Sequence, residues 1–429
     1  MLADKISGNQ VGLWLLLPEH LRLGTWDLLC GWARQPGQNV QPRLALQLVH
    51  EAALCTCNRR QGRSLSQKGF ELANGLPFVA DDPAIHELLE AHTVAEAQQL
   101  QIALGRVRRA SHHFKGQLLA LDPHRMRSYS KRQMRRHRQD TRTKAYKVAQ
   151  AFVLLDVDTG EPVACTCASA ARTVAQATPE LLQLGQAILQ PAPPDRPLVL
   201  ADCEHYDQAV LATAQSLPFD LLVPWPNFKG LAAQCAALPA AAFTAQWAGY
   251  ATAKRPYQWP DGARVSGYQL IQRSGERPAE YHYKAFFATA DRPELPALSQ
   301  EYPARWHIEE FFKFNQALGW QRAGTLNLNI RYGQMTMALI AEAAIYQLRQ
   351  RLGQPFARWD ATHFAENLFG GLEGDVRVQD DTIIVTYYNA PNAQQLREHY
   401  ENLPDKLKKE GVQPEIPWLY NFKLDFRFK

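Results

Sequence analysis

The order of predicted strands and helices between residues 117 and 223 constrains the fold of this chain more than any other feature. Two short apolar runs here each end in an acid, Gln117–Asp122 and Pro197–Asp202, and a hairpin pattern surrounds Asp158-Thr159-Gly160. Residue spacing predicts, in order, strands at 117–122, 147–157 and 161–167, a helix at 179–189, a strand at 197–202, a helix at 207–217 and a strand at 219–223. Three sequential strands followed by helix-linked strands are typical of a mixed sheet flanked by helices.

The remaining sequence predicts further regions around this sheet. The predicted fold class is α/β: a ribonuclease-H-like mixed-sheet core with a β-rich insertion, a helical N-terminal domain and a small α+β C-terminal region. The basic joint Asn58–Arg63 in the N-terminal region suits DNA binding, although a solvated turn explains it equally well. The predicted limits are 1–115 for the N-terminal domain, 116–224 and 296–352 for the core, 225–295 for the insertion and 353–429 for the C-terminal region.

Asp122 and Asp202 are the first candidates for chemistry. Each follows a short apolar strand, and the carboxyl ends of parallel strands converge on one crevice in an open α/β sheet. Two carboxylates that meet there repel each other unless a cation neutralises them, so a divalent metal is the natural partner. The alternative is that each Asp caps the turn or helix that follows it.

A third acid belongs to a polar helix face predicted within residues 301–319. Tyr302, Arg305, Glu309, Lys313 and Gln316 are separated by three, four, four and three positions, which places them on one face of a helix. Ion pairs on a solvated helix explain this spacing when it is taken alone.

Together these motifs resemble the DDE transposases of bacterial insertion sequences, in particular the cut-and-paste group with the YREK signature. Tyr302, Arg305 and Glu309 match the spacing of that signature, and the runs ending in Asp122 and Asp202 are similar to the strands that carry the family's first and second Asp. The β-rich block between Asp202 and Glu309 is similar to the insertion of such enzymes. The resemblance extends over residues 115 to 350, approximately.

The resemblance implies a site and a reaction. Asp122, Asp202 and Glu309 would be the catalytic acids and would bind two Mg²⁺ ions, with Mn²⁺ as a substitute. The implied reaction is cleavage at transposon ends and strand transfer into target DNA, through a hairpin intermediate. Tyr302 and Arg305 would hold phosphates of double-stranded DNA, and a homodimer is expected on that DNA, with the C-terminal region as its contact.

The fourth position of the signature differs in this chain. Gln316 stands where the family has Lys, so it brings hydrogen-bonding capacity without charge. Lys313, one turn after Glu309, is the predicted replacement for the cation on DNA. Hairpin chemistry also requires an aromatic partner for a flipped base. Trp225, Trp247 and Trp259 are candidates, although packing within a β domain is the better explanation for each of them.

The charge of the chain is concentrated beside the first Asp. Residues 124–147 contain ten basic residues against one acid, a net charge of +9, so the rest of a chain with a net charge of +5 sums to −4. A dense cationic segment on a mildly acidic body favours polyanion binding at one place, and a solvated loop is the alternative. The predicted DNA contacts in this segment are Arg125, Arg127, Lys131, Arg132, Arg135, Arg136 and Arg138.

Composition excludes several classes of protein. The apolar stretches predict neither a membrane span nor a secretion signal. The seven cysteines include two pairs with one-residue spacers, which do not suit a tetrahedral zinc site, so reduced structural thiols are expected. These features favour a cytoplasmic protein, and the resemblance implies a bacterial one associated with the nucleoid.

Two further functions remain open at this stage. A transposase-derived protein that binds ends without cutting would act as a regulator, and the exchange at Gln316 permits it. A ribonuclease-H-like nuclease would hydrolyse DNA without strand transfer.

Overall fold

A computed structural model describes residues 6–8, 10–33, 40–56, 68–129, 131, 133–138, 144–226, 230–259, 265–320 and 325–429. The chain divides into two compact units. Residues Phe114–Phe311 form the first, which we call the sheet unit, and Met1–His113 with Phe312–Lys429 form the second, which we call the helical unit.

The described strands are numbered along the chain. They are β1 (Ile6–Gly8), β2 (Leu118–Arg127), β3 (Arg136–His137), β4 (Tyr146–Asp156), β5 (Glu161–Ser169), β6 (Leu198–Ala201), β7 (Asp220–Pro224), β8 (Thr244–Trp247), β9 (Tyr250–Gln258), β10 (Ser266–Ser274), β11 (His282–Ala288), β12 (Gly374–Gln379), β13 (Thr382–Tyr387) and β14 (Lys423–Phe428).

Six of the described α-helices of four or more residues precede β2, and the others lie between or after the later strands. In chain order these helices are Leu17–Arg22, Thr25–Ala33, Gln41–Ala53, Lys68–Ala73, Asp82–Ala91, Val94–Ala110, Val174–Leu189, Gln208–Ser216, Leu231–Ala236, His307–Asn315, Leu328–Leu352, Ala361–Phe364, Ala393–Tyr400 and Leu403–Lys409. None of these helices combines the length and apolar character that crossing a bilayer requires.

Ten of the described strands form one mixed sheet in the sheet unit. Its path is β3-β4-β2-β6-β7-β11-β10-β9-β8, and β5 pairs with β4 beside that path. Strands β2, β6 and β7 run parallel, whereas β4 and β5 pair antiparallel, so the predicted hairpin and helix-linked strands are confirmed. The mixed α/β character predicted from the sequence is therefore present.

The β-rich segment extends this sheet. Strand β11 pairs antiparallel with β7 through Phe286–Ala288, and β10, β9 and β8 follow in order. Buried apolar side chains of β6, β7, β10 and β11 form one cluster, which includes Leu200, Leu222, Leu270 and Phe286. The core and the predicted insertion thus share both backbone pairing and a packed interior.

The helical unit combines N-terminal and C-terminal parts of the chain. The helix Leu328–Leu352 packs against the helices Gln41–Ala53, Asp82–Ala91 and Val94–Ala110. Strand β1 pairs with β12 in a second sheet with the order β1-β12-β13-β14. A buried Glu19 carboxylate lies 2.9 Å from Arg22, which also pairs with Glu410 near the C-terminus. The domain limits predicted from the sequence stay predictions.

Three local predictions need correction. Residues 297–318 are helical but not one helix: a π-turn at 297–301 and a 3₁₀ turn at 302–306 precede the α-helix His307–Asn315, and a 3₁₀ turn follows it. The charged stretch 398–411 predicts one helix, but the structure has two, because Asn402 adopts a left-handed conformation and Pro404 follows it. Strand β2 does not end at Asp122 but continues to Arg127, since the long partner β4 pairs along its whole length.

Candidate active site

Asp122 and Asp202 occupy neighbouring positions on adjacent parallel strands. The parallel pairing of β2 with β6 ends at Leu121 opposite Ala201, and each Asp is the next residue. Their side chains are 19% and 28% exposed, so both reach solvent from a mostly buried position. The two strands therefore bring the carboxylates together as the sequence predicted.

The Asp202 carboxylate is fixed through one oxygen. Oδ1 accepts a hydrogen bond from the Glu204 backbone N–H at 2.9 Å and lies 2.7 Å from Nδ1 of His205, whose side chain is fully buried. Burial acts to raise the pKa of Asp202, but the His205 hydrogen bond and charge outweigh it, and the pKa lies below its ordinary value. Asp202 thus caps the short 3₁₀ turn Cys203–His205, and neither contact uses Oδ2.

Asp122 lies among other carboxylates. Burial, reinforced by the negative charges of Asp202 and Glu309, raises the pKa of Asp122 to about 7, while Arg305 acts in the opposite direction. A cation that binds nearby would stabilise the ionised form of this carboxyl group and so lower its pKa.

Arg305 links two of the three acids. Its Nη2 donates to Oε1 of Glu309 at 2.9 Å, and its Nη1 lies 3.7 Å from Oδ1 of Asp122. The spacing of four residues that suggested a helical face here gives a direct contact, although Arg305 is in the 3₁₀ turn and Glu309 in the α-helix. The Tyr302 ring packs edge-on against Phe286 at 4.8 Å, and burial raises the pKa of Tyr302 to about 12.

The three acids are the right type of ligand for a divalent cation, but their side chains are not spaced around a metal site in this structure. Among the residues that the structure describes, no group of three or more His, Cys, Asp or Glu side chains is spaced to hold a metal ion. Asp122, Asp202 and Glu309 nevertheless offer carboxylate oxygens, the ligands that Mg²⁺ prefers. The contacts of Asp202 with Glu204 and His205 both use Oδ1, so neither occupies Oδ2. These residues fit the metal, provided that the contacts of Arg305 change.

Other acids near the sheet have structural roles. Asp156 is fully buried and accepts from the Gly116 N–H at 2.6 Å. Its other oxygen accepts from the Thr159 N–H and hydroxyl at 3.0 Å each, so it stabilises the hairpin turn. Glu310 is exposed, and His307 contacts the Val157 carbonyl through Nδ1 at 3.1 Å.

Comparison with known proteins identifies the family of this chain. The sequence profile of the family described as "Transposase DDE domain" matches residues 113–341, just over half of the chain and a span that includes all three acids. The chain belongs to this family. No curated protein matches this transposase. Among solved structures it is similar to the cryo-EM structure of a piggyBac transposase synaptic complex with hairpin DNA, with 12% identity, 86% of this chain and 82% of that chain covered, and a TM-score of 0.45.

The basic segment of the transposase is described in part. Lys131, Arg135, Arg136 and Arg138 are exposed, and Arg132 lies outside the described residues. The backbone of Arg136 pairs with that of Lys147, where β3 joins the first residues of β4, so this part of the segment extends the sheet.

The first two arginines of that segment have partners within the protein. Arg125 donates to Gln150 at 3.2 Å and forms a two-armed ion pair with Glu204, next to Asp202. The Arg127 guanidinium lies 4.8 Å from the Tyr146 ring centre. Arg125 therefore orders the turn after Asp202 in this structure.

Lys313 and Gln316 belong to the helical unit. Lys313 is exposed and its ammonium group lies 5.4 Å from the Phe314 ring centre. Gln316 begins the 3₁₀ turn after the α-helix has ended at Asn315.

Aromatic side chains follow two patterns. Trp225 and Trp259 pack around Tyr206 at 5.2 and 4.9 Å, whereas Trp247 stacks on Tyr250 at 4.4 Å and is 55% exposed. Trp306, directly after Arg305, is 58% exposed, although a tryptophan side chain is ordinarily largely buried. Its position directly after Arg305 is the sequence signal for a role at the site, because its apolar character alone predicts burial.

Proposed function

We propose that this transposase cleaves DNA at transposon ends and joins the freed ends to target DNA, with Asp122, Asp202 and Glu309 as its catalytic acids. The observation that carries the proposal is the placement of Asp122 and Asp202 side by side on parallel strands, with Glu309 joined to Asp122 through Arg305. The strand order β5-β4-β2-β6-β7 supports a ribonuclease-H-like core around this site.

The three carboxylates would hold two divalent ions, Mg²⁺ or Mn²⁺. When bound, such ions supply a nucleophilic oxygen at neutral pH and stabilise the oxygen that leaves phosphorus. The chain's own contribution begins with orientation: Glu204 and His205 fix Oδ1 of Asp202, which leaves Oδ2 for a ligand. His205 would thus be a positioning residue, a role that the sequence analysis does not assign.

The residues around the acids would place the DNA. Arg305 and Tyr302 would contact phosphates at the transposon end, where a guanidinium binds two phosphate oxygens at once. The exposed Trp306 is better placed than the packed Trp225 and Trp259 to meet an unpaired base. The finer proposal is a cut-and-paste reaction of an insertion-sequence enzyme, in which the freed 3′-hydroxyl attacks the opposite strand and forms a hairpin.

Two ends must be held together during transposition, so we further propose a homodimer on double-stranded DNA, with residues 353–429 as the contact. A supercoiled plasmid carrying two cognate ends tests the function as a whole. Excision with hairpin or 3′-hydroxyl ends in Mg²⁺ supports the proposal. Bound but intact DNA indicates a regulator instead, and nicking without joining indicates a nuclease.

The exposed arginines of the basic segment should contribute to DNA binding of any sequence. Replacing Arg135 and Arg136 together by Ala should weaken binding and reduce the slope of log affinity against log salt by about two, since each lost phosphate contact removes about 0.9. Filter binding measures the slope between roughly 50 and 200 mM salt, a range over which phosphate contacts change the affinity strongly. The equal charge change in Lys408→Ala with Lys409→Ala serves as control, and equal slopes for both double variants would contradict the prediction.

Lys313 should supply the cation that Gln316 lacks. Lys313→Ala should lower the salt slope of end binding by about one, because one phosphate contact is lost. Gln316→Lys should raise the slope by a similar amount if this position also meets phosphate. An unchanged slope in Lys313→Ala means that Lys313 does not contact DNA.

A further inference from the structure

One arginine lies among the acids that the proposed function assigns to the metal site. Arg305 is 16% exposed, donates to Glu309 at 2.9 Å and lies 3.7 Å from Asp122. It is the guanidinium that pairs with both Asp122 and Glu309. The guanidinium therefore offsets part of the negative charge of the three carboxylates.

We propose that Arg305 is an internal counter-ion, which gives up its carboxylates when a divalent cation binds and then turns to a DNA phosphate. This inference rests on the proposed function, because it takes Asp122 and Glu309 as metal ligands. A guanidinium hydrogen-bonded to Oε1 of Glu309 competes with a cation for that oxygen, and two positive groups at the same carboxylates repel.

The exchange has a consequence for the order of binding. DNA phosphate draws Arg305 away from the acids, so DNA should raise the affinity for metal, and metal should raise the affinity for DNA by the same factor. Such coupling would delay loading of the site until a DNA end is present. Arg305 would then contact a DNA phosphate when DNA is bound and compete with metal for the carboxylates when it is not.

A purely structural role is the competing explanation, because Arg–Glu pairs at four-residue spacing are common on helix surfaces. The sheet unit offers a matched arginine for comparison. Arg292 also bridges two acids, with Nη1 3.1 Å from Glu301 and Nη2 3.5 Å from Asp220. Neither acid belongs to the proposed metal site, so Arg292→Met removes an equivalent pair without touching it.

The test is Mn²⁺ binding to the full chain without DNA, measured by isothermal titration and by the electron paramagnetic resonance signal of free Mn²⁺. Arg305→Met should bind Mn²⁺ about tenfold more tightly than the parent, a typical size for such coupling. Arg305→Lys should fall between the two, since a point charge reaches one carboxylate at a time. Arg292→Met should leave the affinity unchanged, and thermal unfolding of each variant checks the fold.

The second measurement adds duplex DNA of mixed sequence to the same titrations. DNA should raise the Mn²⁺ affinity of the parent more than that of Arg305→Met. Equal or weaker Mn²⁺ binding by folded Arg305→Met overturns the inference. If Asp122→Asn binds Mn²⁺ as well as the parent, the metal site itself has failed, which is a different result from failure of the arginine exchange.

Discussion

Amide substitution of any one proposed acid should slow DNA cleavage at the transposon ends by about a thousandfold or more, which equals about 4 kcal/mol of barrier. Asp122→Asn, Asp202→Asn and Glu309→Gln keep the shape of each side chain while removing a charged oxygen ligand. Because the three acids are proposed to hold the same two ions, each loss should be nearly as severe as a double loss.

The measurement is the single-turnover rate on a preassembled complex with end DNA in Mg²⁺. Glu310→Gln and Asp158→Asn are matched controls, because both carboxylates are exposed and neither contacts the site. DNA binding should persist in all five variants. A rate within threefold of the parent in any of the three site variants would remove that residue from the proposed site.

The second large effect concerns stability of the helical unit in acid. His20 and His50 are fully buried, their rings lie 5.1 Å apart, and Nε2 of each has no hydrogen-bond partner in the part of the chain that is described. Burial lowers the pKa of His50 to about 4 and lowers that of His20 as well. Both rings are therefore neutral in the folded protein at pH 7.

The sign follows from proton uptake. Above the unfolded pKa of about 6.5 neither state is protonated at His50, so its contribution to stability is complete. As the pH falls towards 4, His50 binds a proton in the unfolded chain but stays neutral in the folded chain. The free energy of unfolding should therefore drop by about 3 kcal/mol because of this residue.

Urea unfolding at pH 7.5 and 4.5 measures this effect. His50→Gln should reduce the loss of stability between these conditions relative to the parent, whatever its cost at neutral pH. His363→Gln is the control, because the His363 side chain is 61% exposed. An identical loss in the parent and His50→Gln would show that His50 does not carry the pH dependence.

The neighbouring positions of Asp122 and Asp202 were predictable because they depend on local signals. Each apolar run predicted a strand. The helix before the second run predicted a crossover that makes this strand, β6, run parallel to β2 beside it. The contact of Arg305 with Glu309 also followed from spacing of four residues, even though the helix there changes type.

The features that sequence reasoning missed depend on contacts distant in the chain. Strand β2 continues past Pro123 because β4 pairs with it as far as Arg127. The pair between Arg125 and Glu204 joins residues 79 positions apart, so no local pattern indicated that Arg125 orders the turn after Asp202. Its contact with DNA stays a prediction. No local pattern indicated that β11 would pair with β7 and make the insertion part of the sheet.

The central claim is that Asp122, Asp202 and Glu309 form one metal site. Replacing Mg²⁺ by Fe²⁺ and adding ascorbate and peroxide tests it most directly, because bound iron generates radicals that cut the polypeptide next to its ligands. The account predicts three backbone cuts, close to residues 122, 202 and 309, which Mg²⁺ suppresses by competition and Asp122→Asn abolishes together. Cuts elsewhere, or cuts at 202 and 309 that persist in Asp122→Asn, would contradict it.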